Sequence, residues 1–364
     1  MKIIVLGTRG IPGILGGVET HCEELYPRIA KLEHDVTVIT RTPYVKDKTL
    51  KSYKGVKLKH IFAPKQKSIE AIIHTFLGVI YAGFKRPDVL HIHAIGPMTM
   101  TPLARLLGLK VVVTNHGPDY DRQKWGKLAK SILQLGEYLG TKTAQKVIVI
   151  SEVIRTILST KYNRQDSILI YNGVNLPEIS CNTDYITSLN LKKDNYIITV
   201  GRFVEEKGFS DLIKAYSNIT TSYKLVLVGD ADHETAYSKG LKKEAVDAGV
   251  ILTGFIKGEQ LRQIFSHARL FVMPSYHEGL PIALLEAMSY NLDVLVSDIP
   301  ANLEIGLGNN HYFQVGDITA LSTALFGALK NTNATINNSK LMHEKYNWNL
   351  IAKETIEVYK SIKT

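Results

Sequence analysis

Cysteine is scarce. Cys22 and Cys181 are the only two in 364 residues, too few and too far apart for a disulfide framework, and they fit folding in a reducing cytoplasm. Long apolar runs are also missing: no stretch approaches the roughly 20 residues of a membrane span. The opening residues, MKIIVLGTRGIPG, lack the apolar length and small-residue cleavage site of a secretory signal. No helix-turn-helix pattern, zinc-finger spacing or aromatic RNA-binding strand is present, which argues against a nucleic-acid binder. No self-similarity recurs at a period of about 20 to 50 residues, which excludes a solenoid.

What is there is a foldable composition, 45% hydrophobic and 21% charged, long enough for two domains. The net charge of +10 is uneven. Residues 1–180 hold 26 Lys/Arg against 14 Asp/Glu, while residues 181–364 hold 18 against 20. The basic first half therefore suits a phosphorylated ligand or an anionic membrane.

Val/Ile-rich runs alternate with amphipathic stretches. KIIVLG (2–7), DVTVIT (35–40), VLHIH (89–93), KVVVTNH (110–116) and KVIVIS (146–151) read as buried parallel strands. After an Asn/Pro-rich stretch the pattern restarts with NYIITVGR (195–202), YKLVLVGD (223–230), GVILTGF (249–255), LFVMPS (270–275) and DVLVSD (293–298). The expected fold class is α/β, two tandem Rossmann-like parallel-sheet domains with a cleft between their strand C-termini. The boundaries read as an N-terminal domain 1–175, a linker 176–194, a C-terminal domain 195–345 and a terminal helix 346–364 packing back on the first domain.

Four motifs carry candidate chemistry. GTRGIPGILGGVET follows the first strand, but Arg9 breaks G-x-G-x-x-G and no Gly-Lys-Ser/Thr follows, so neither a dinucleotide fingerprint nor a P-loop fits. Gly16 and Gly17 before the helix would let backbone amides approach a ligand; the plainer reading is a surface turn. In TNHGPDYDRQKWG, His116 ends a strand on the ligand side, where a lone histidine is otherwise a structural residue. Asp119 is placed to receive or orient an acceptor's proton, or to cap a helix.

In VGRFVEEKG, Arg202 and Lys207 suit a diphosphate, against the alternative of a solvated loop. In SYHEGLPIALLEAM, Pro281 fits a first helical turn, and the amides of Gly279 and Leu280 offer an anion site. Glu278 before that helix and Glu286 on it can both accept from vicinal hydroxyls. Their plainer reading, charges favouring a helix N-terminus, explains Glu286 poorly because its neighbours Leu285 and Ala287 belong in a core. Asp230 and Asp232 have a metal-like spacing, but a turn after a strand explains them and no metal is assigned.

Together these motifs resemble the retaining glycosyltransferases of family 4, with their two-domain GT-B architecture, over nearly the whole chain. HEGLPIALLEAM matches that family's E-x7-E element and VGRFVEEKG its G-R-x4-K-G element. The N-terminal LGTRGIPGILGGVETHCEEL resembles a bacterial rhamnosyltransferase-like subgroup, from which Pro118 departs in the H-G-x-D element. The resemblance implies that Arg202 and Lys207 bind the donor diphosphate, Glu286 the ribose and Glu278 the donor-sugar hydroxyls. It implies that Gly16 and Gly17 close over diphosphate and acceptor, that His116 meets the sugar near its reacting carbon, and that the backbone of Ile256 reads the nucleobase. It further implies front-face, metal-independent transfer with no cofactor beyond the nucleotide-sugar substrate.

The expected function is hexose or deoxyhexose transfer to a glycan or polyprenyl-diphosphate-linked saccharide, in the cytoplasm or on the inner membrane face. Apolar 68–87 and cationic 121–131 suggest the membrane contact; a core helix is the plainer reading of the first. A non-catalytic nucleotide-sugar or glycan-phosphate binding module is the alternative, and an epimerase a further one.

Overall fold

The computed structural model describes residues 1–14, 16–64, 70–121, 126–231, 233–279, 281–330 and 338–362. The chain forms two compact units, Met1–Gly173 with Tyr346–Thr364, and Val174–Lys345.

The first unit is built on β1 (Lys2–Leu6), β2 (Asp35–Arg41), β3 (Ser52–Tyr53), β4 (Val56–Ile61), β5 (Val89–His93), β6 (Val111–Asn115), β7 (Lys146–Val149) and β8 (Ile168–Leu169), in the order β3-β4-β2-β1-β5-β6-β7-β8. The ladders are parallel except for β3 against β4. Every residue of β5 and β6 is buried, as a parallel sheet covered on both faces requires. The helix Gly17–Lys31 lies against the C-terminal helix Trp348–Lys360, and Cys22, Leu25, Tyr26 and Ile29 share a core with Ile351, Ala352, Ile356 and Tyr359.

The second unit holds β9 (Tyr196–Val200), β10 (Lys224–Val228), β11 (Ile251–Gly254), β12 (Leu270–Met273), β13 (Asp293–Ser297) and β14 (Tyr312–Phe313), all parallel, in the order β11-β10-β9-β12-β13-β14. Phe203, Phe209, Leu212 and Leu227 anchor its core. Residues 176–194, read from sequence as a linker, contain the helix Asp184–Ser188. Gln263 ties that helix to the second unit by accepting from the Tyr185 amide and donating to Asp184.

Both sheets reverse their winding at one place, between β1 and β5 in the first and between β9 and β12 in the second. Ligands of open α/β sheets bind beyond the strand ends at such a switch point. Glycines permit the crowding there. A Cβ on Gly7, just after β1, would lie 2.0 Å from the carbonyl oxygen of His93 at the end of β5. A Cβ on Gly208, after β9, would lie 2.1 Å from the carbonyl oxygen of Pro274 after β12. Both glycines also have positive φ, 100° and 65°. Gly7→Ala is therefore expected to cost at least ~1–3 kcal/mol. Urea unfolding followed by tryptophan fluorescence, with both tryptophans, Trp125 and Trp348, in the first unit, should show a lower midpoint; an unchanged midpoint would mean the strand ends can separate freely.

Candidate active site

In the second unit the loop after β9 makes a 3-10 turn, Glu205–Lys207, and closes on Gly208. Because Gly208 has no side chain, this loop lies directly against the one after β12. The Lys207 ammonium donates to Glu278 Oε1 at 2.6 Å, and the Ser275 hydroxyl donates to the same oxygen at 2.7 Å. The Tyr276 amide donates to the Glu206 carbonyl at 2.9 Å, and the Ser297 hydroxyl at the end of β13 donates to the Ser275 carbonyl at 2.6 Å. Two motifs 71 residues apart thus form one object. Among the described residues, both side-chain hydrogen bonds of Glu278 fall on Oε1. Arg202, partly exposed, sits at the start of the same loop.

The helix Ile282–Ser289 follows, with Pro281 at its N-cap position rather than inside its first turn. Gly279 lies in the bend before it, and Leu280 lies outside the described residues. The Glu286 carboxylate has no hydrogen-bond or salt-bridge partner among the described residues, and desolvation raises it to about 7. Ile256 follows β11, two strands from β9, with its side chain buried. Asp230 pairs with Lys242 at 2.7 Å, and Asp232 lies outside the described residues.

In the first unit Gly16 is the N-cap of the helix Gly17–Lys31, with φ 143°. A Cβ there would strike the Glu19 carboxylate and the Arg9 guanidinium, which are paired at 3.2 Å, whereas a Cβ on Gly17 would meet nothing within 4 Å. Gly17 therefore presents open backbone. His116 follows β6, and its Nε2 lies 2.9 Å from Nδ1 of His93. Asn115 shapes the turn: its Oδ1 accepts from the Gly117 amide and its Nδ2 donates to buried Glu137. Glu137 also accepts from Tyr120 and Tyr162 at 2.9 and 2.8 Å, and so anchors the loop between His116 and Asp119. Asp119 opens a short 3-10 turn, Asp119–Asp121.

The residues that sequence reasoning missed are His21, His93, Glu137 and the tyrosines beside them. His91 and His93 are two apart on one strand, hence on one sheet face, and that spacing was the available signal. Burial lowers His21 to about 4 and holds His91, His93 and His116 well below the ordinary imidazole range, so all four are neutral near pH 7. Ligand nitrogens of His21, His93 and His116 lie within 4.8 Å of one another. A tetrahedral zinc would space them about 3.3 Å apart. The 2.9 Å between His93 and His116 is instead hydrogen-bond spacing.

Fold and site together define an α/β protein of two parallel sheets whose charged loops gather at sheet switch points. The "Glycosyl transferases group 1" family model matches residues 183–342 and the "Glycosyltransferase Family 4" model residues 15–178. The chain belongs to these GT-B glycosyltransferases. It is 26% identical to the uncharacterized glycosyltransferase MJ1607 of Methanocaldococcus jannaschii, over 99% of this chain and 98% of that protein. It is 26% identical to the capsular polysaccharide biosynthesis glycosyltransferase CapH of Staphylococcus aureus, over 63% and 64% of the two chains. Among solved structures, Anabaena Alr3699/HepE in complex with UDP-glucose superposes with a TM-score of 0.81 at 17% identity, over 99% and 100% of the chains.

Because the Glu286 carboxyl is raised from 4.5 to about 7, the folded state holds its proton more tightly than the unfolded chain. The stability linked to that proton is complete below the unfolded value and is lost as pH rises through about 7. Glu286→Gln should therefore melt progressively higher relative to wild type between pH 5 and 8. Parallel melting curves across that range would show the wrong environment has been assigned.

Proposed function

We propose that this chain is a retaining, metal-independent hexosyltransferase that moves a hexose or deoxyhexose from a nucleoside-diphosphate sugar to a glycan or polyprenyl-diphosphate-linked saccharide. The observation that carries the reading is the Lys207–Glu278 pair at the switch point, beside a helix whose Glu286 carboxylate has no partner among the described residues. A departing diphosphate develops negative charge. Lys207 and Arg202 supply cations for it, and the amides leading into the helix Ile282–Ser289 supply dipoles. Glu278 steadies the lysine through Oε1 and offers Oε2 to donor-sugar hydroxyls, while Glu286 accepts from the ribose diol. Ile256 reads the base through its backbone.

In the first unit, Gly16 and Gly17 give the diphosphate and acceptor close backbone approach. His116 meets the sugar at its reacting carbon, and Asp119 orients the acceptor. The leaving phosphate takes the acceptor's proton in front-face transfer, since neither glutamate of the pair is a nucleophile in this reading. A role in envelope or capsular polysaccharide synthesis draws support from the likeness to CapH.

Lys207→Ala and Glu278→Gln should each lower kcat by roughly 10²–10³ with the circular dichroism spectrum unchanged. Diphosphate release across a donor panel, with product mass, measures this. A wild-type protein that binds donors yet releases no diphosphate with any lipid-linked acceptor would be a binding module.

Peripheral membrane contact belongs to the same proposal. The helices Glu70–Lys85, Thr101–Leu106 and Lys127–Thr143 pack in succession, and they leave Phe84, Leu106 and Leu128 exposed at 86%, 85% and 76% beside Lys85, Arg86, Arg105 and Lys127. Residues 68–69 and 122–125 of the stretches first suspected lie outside the described residues, and no helix among the described ones is long and apolar enough to cross a membrane. Phe84→Ser with Leu106→Ser should abolish co-sedimentation with phosphatidylglycerol vesicles at low salt. Wild-type protein that stays in the supernatant would remove membrane contact from the proposal.

A further inference from the structure

Behind His116 lies a chain of polar side chains in a core that is otherwise apolar. Tyr26 on the helix Gly17–Lys31, His91 and His93 on β5, and Tyr359 on the C-terminal helix are all fully buried. The Tyr26 hydroxyl lies 2.5 Å from His93 Nε2 and 2.9 Å from His91 Nδ1. The Tyr359 hydroxyl lies 2.6 Å from that same His91 Nδ1, and His91 Nε2 lies 2.7 Å from the Thr114 hydroxyl. His93 Nδ1 closes the chain on His116 Nε2.

One proton arrangement satisfies this chain. With every imidazole neutral, each ring carries one N–H. Each tyrosine has one proton to give: Tyr359 donates to His91, and Tyr26, whose hydroxyl also faces that of Tyr359, donates to His93 Nε2, its shortest contact. His93 then carries its own proton on Nδ1 and donates it to His116 Nε2. His116 is left with its proton on Nδ1, the nitrogen that His93 does not engage, on a ring that is partly exposed. His21 gives its own proton to Asn172, its Nδ1 lying 2.6 Å from Asn172 Oδ1, and so has none to donate to His116.

We propose that Tyr26 and His93 are positioning residues: backed by His91 and Tyr359, they hold His116 as a neutral Nδ1–H donor. His116 would then give a hydrogen bond to a ligand oxygen and could not serve there as a base. The second half of this inference rests on the proposed contact between His116 and the donor sugar; the proton assignment does not. The groups facing His116 and its chain are His21, Cys22, Tyr26, His91, His93, Thr114, Asn172 and Tyr359. None carries charge near neutral pH, so nothing in the chain favours an imidazolium.

Nitrogen-15 histidine spectra of the full-length protein test the assignment, with His116→Gln identifying the ring. Wild type should show His116 protonated on Nδ1 with no titration between pH 6 and 8. Tyr26→Phe should mix its tautomers and lower turnover by roughly 10-fold, less than the ~10²–10³ of deleting a transition-state donor. In the His116→Gln background, which donates whatever lies behind it, Tyr26→Phe should change turnover no further.

An Nε2–H tautomer in wild type, a titration in that range, or an equal Tyr26→Phe loss in both backgrounds would overturn the proposal. His93→Gln, which can still donate to His116, should restore the Nδ1–H signal where His93→Phe abolishes it. A fixed Nδ1–H with turnover indifferent to His116→Gln and Tyr26→Phe would uphold the assignment and instead refute the sugar contact.

Discussion

Each functional loop can exist only where a backbone comes within van der Waals distance of its neighbour strand's carbonyl. Gly7 against His93 and Gly208 against Pro274 are the same constraint met twice, once per sheet, at the point where the winding reverses. A side chain at either glycine would part the strand ends. In the second unit, parting them would separate Lys207 from Glu278. In the first, it would disturb the strand that carries His93.

The two units then treat charge in opposite ways. The second keeps a lysine and a glutamate in direct contact and only slightly exposed, a costly arrangement unless both ends are satisfied. It also keeps the Glu286 carboxylate without a partner among the described residues, so that desolvation holds a proton there until about pH 7. In the proposed reading, a ligand with hydroxyls and phosphate completes such a site. The first unit excludes charge from its polar cluster altogether: four imidazoles share one region of the core, and burial keeps all four neutral.

The ten apolar runs were legible because buried parallel strands need Val and Ile on both faces. β4 was not, because VKLKHI alternates buried residues with exposed Lys57 and Lys59 and so lacks that signature. The two-residue strands β3, β8 and β14 are set by neighbours rather than by local pattern. Motif spacing identified Lys207 and Glu278 separately, but their contact depends on a chain crossing of 71 residues that no window reveals. No local pattern marks Glu137; only the packed structure turns it inward to bind the loop that carries His116.

The terminal helix gives the molecule a direction in time. Tyr359 and its neighbours complete the core of the unit that begins the chain, while the other unit is contiguous from Val174 to Lys345. Domains usually fold in the order in which the ribosome releases them. Here the inserted unit has its whole sequence first, and the opening one stays short of its last core residues, and of the hydroxyl behind His91, until the final helix emerges. Synthesis of this chain therefore carries a first unit whose sheet is complete and whose core is not until the helix Trp348–Lys360 has been made.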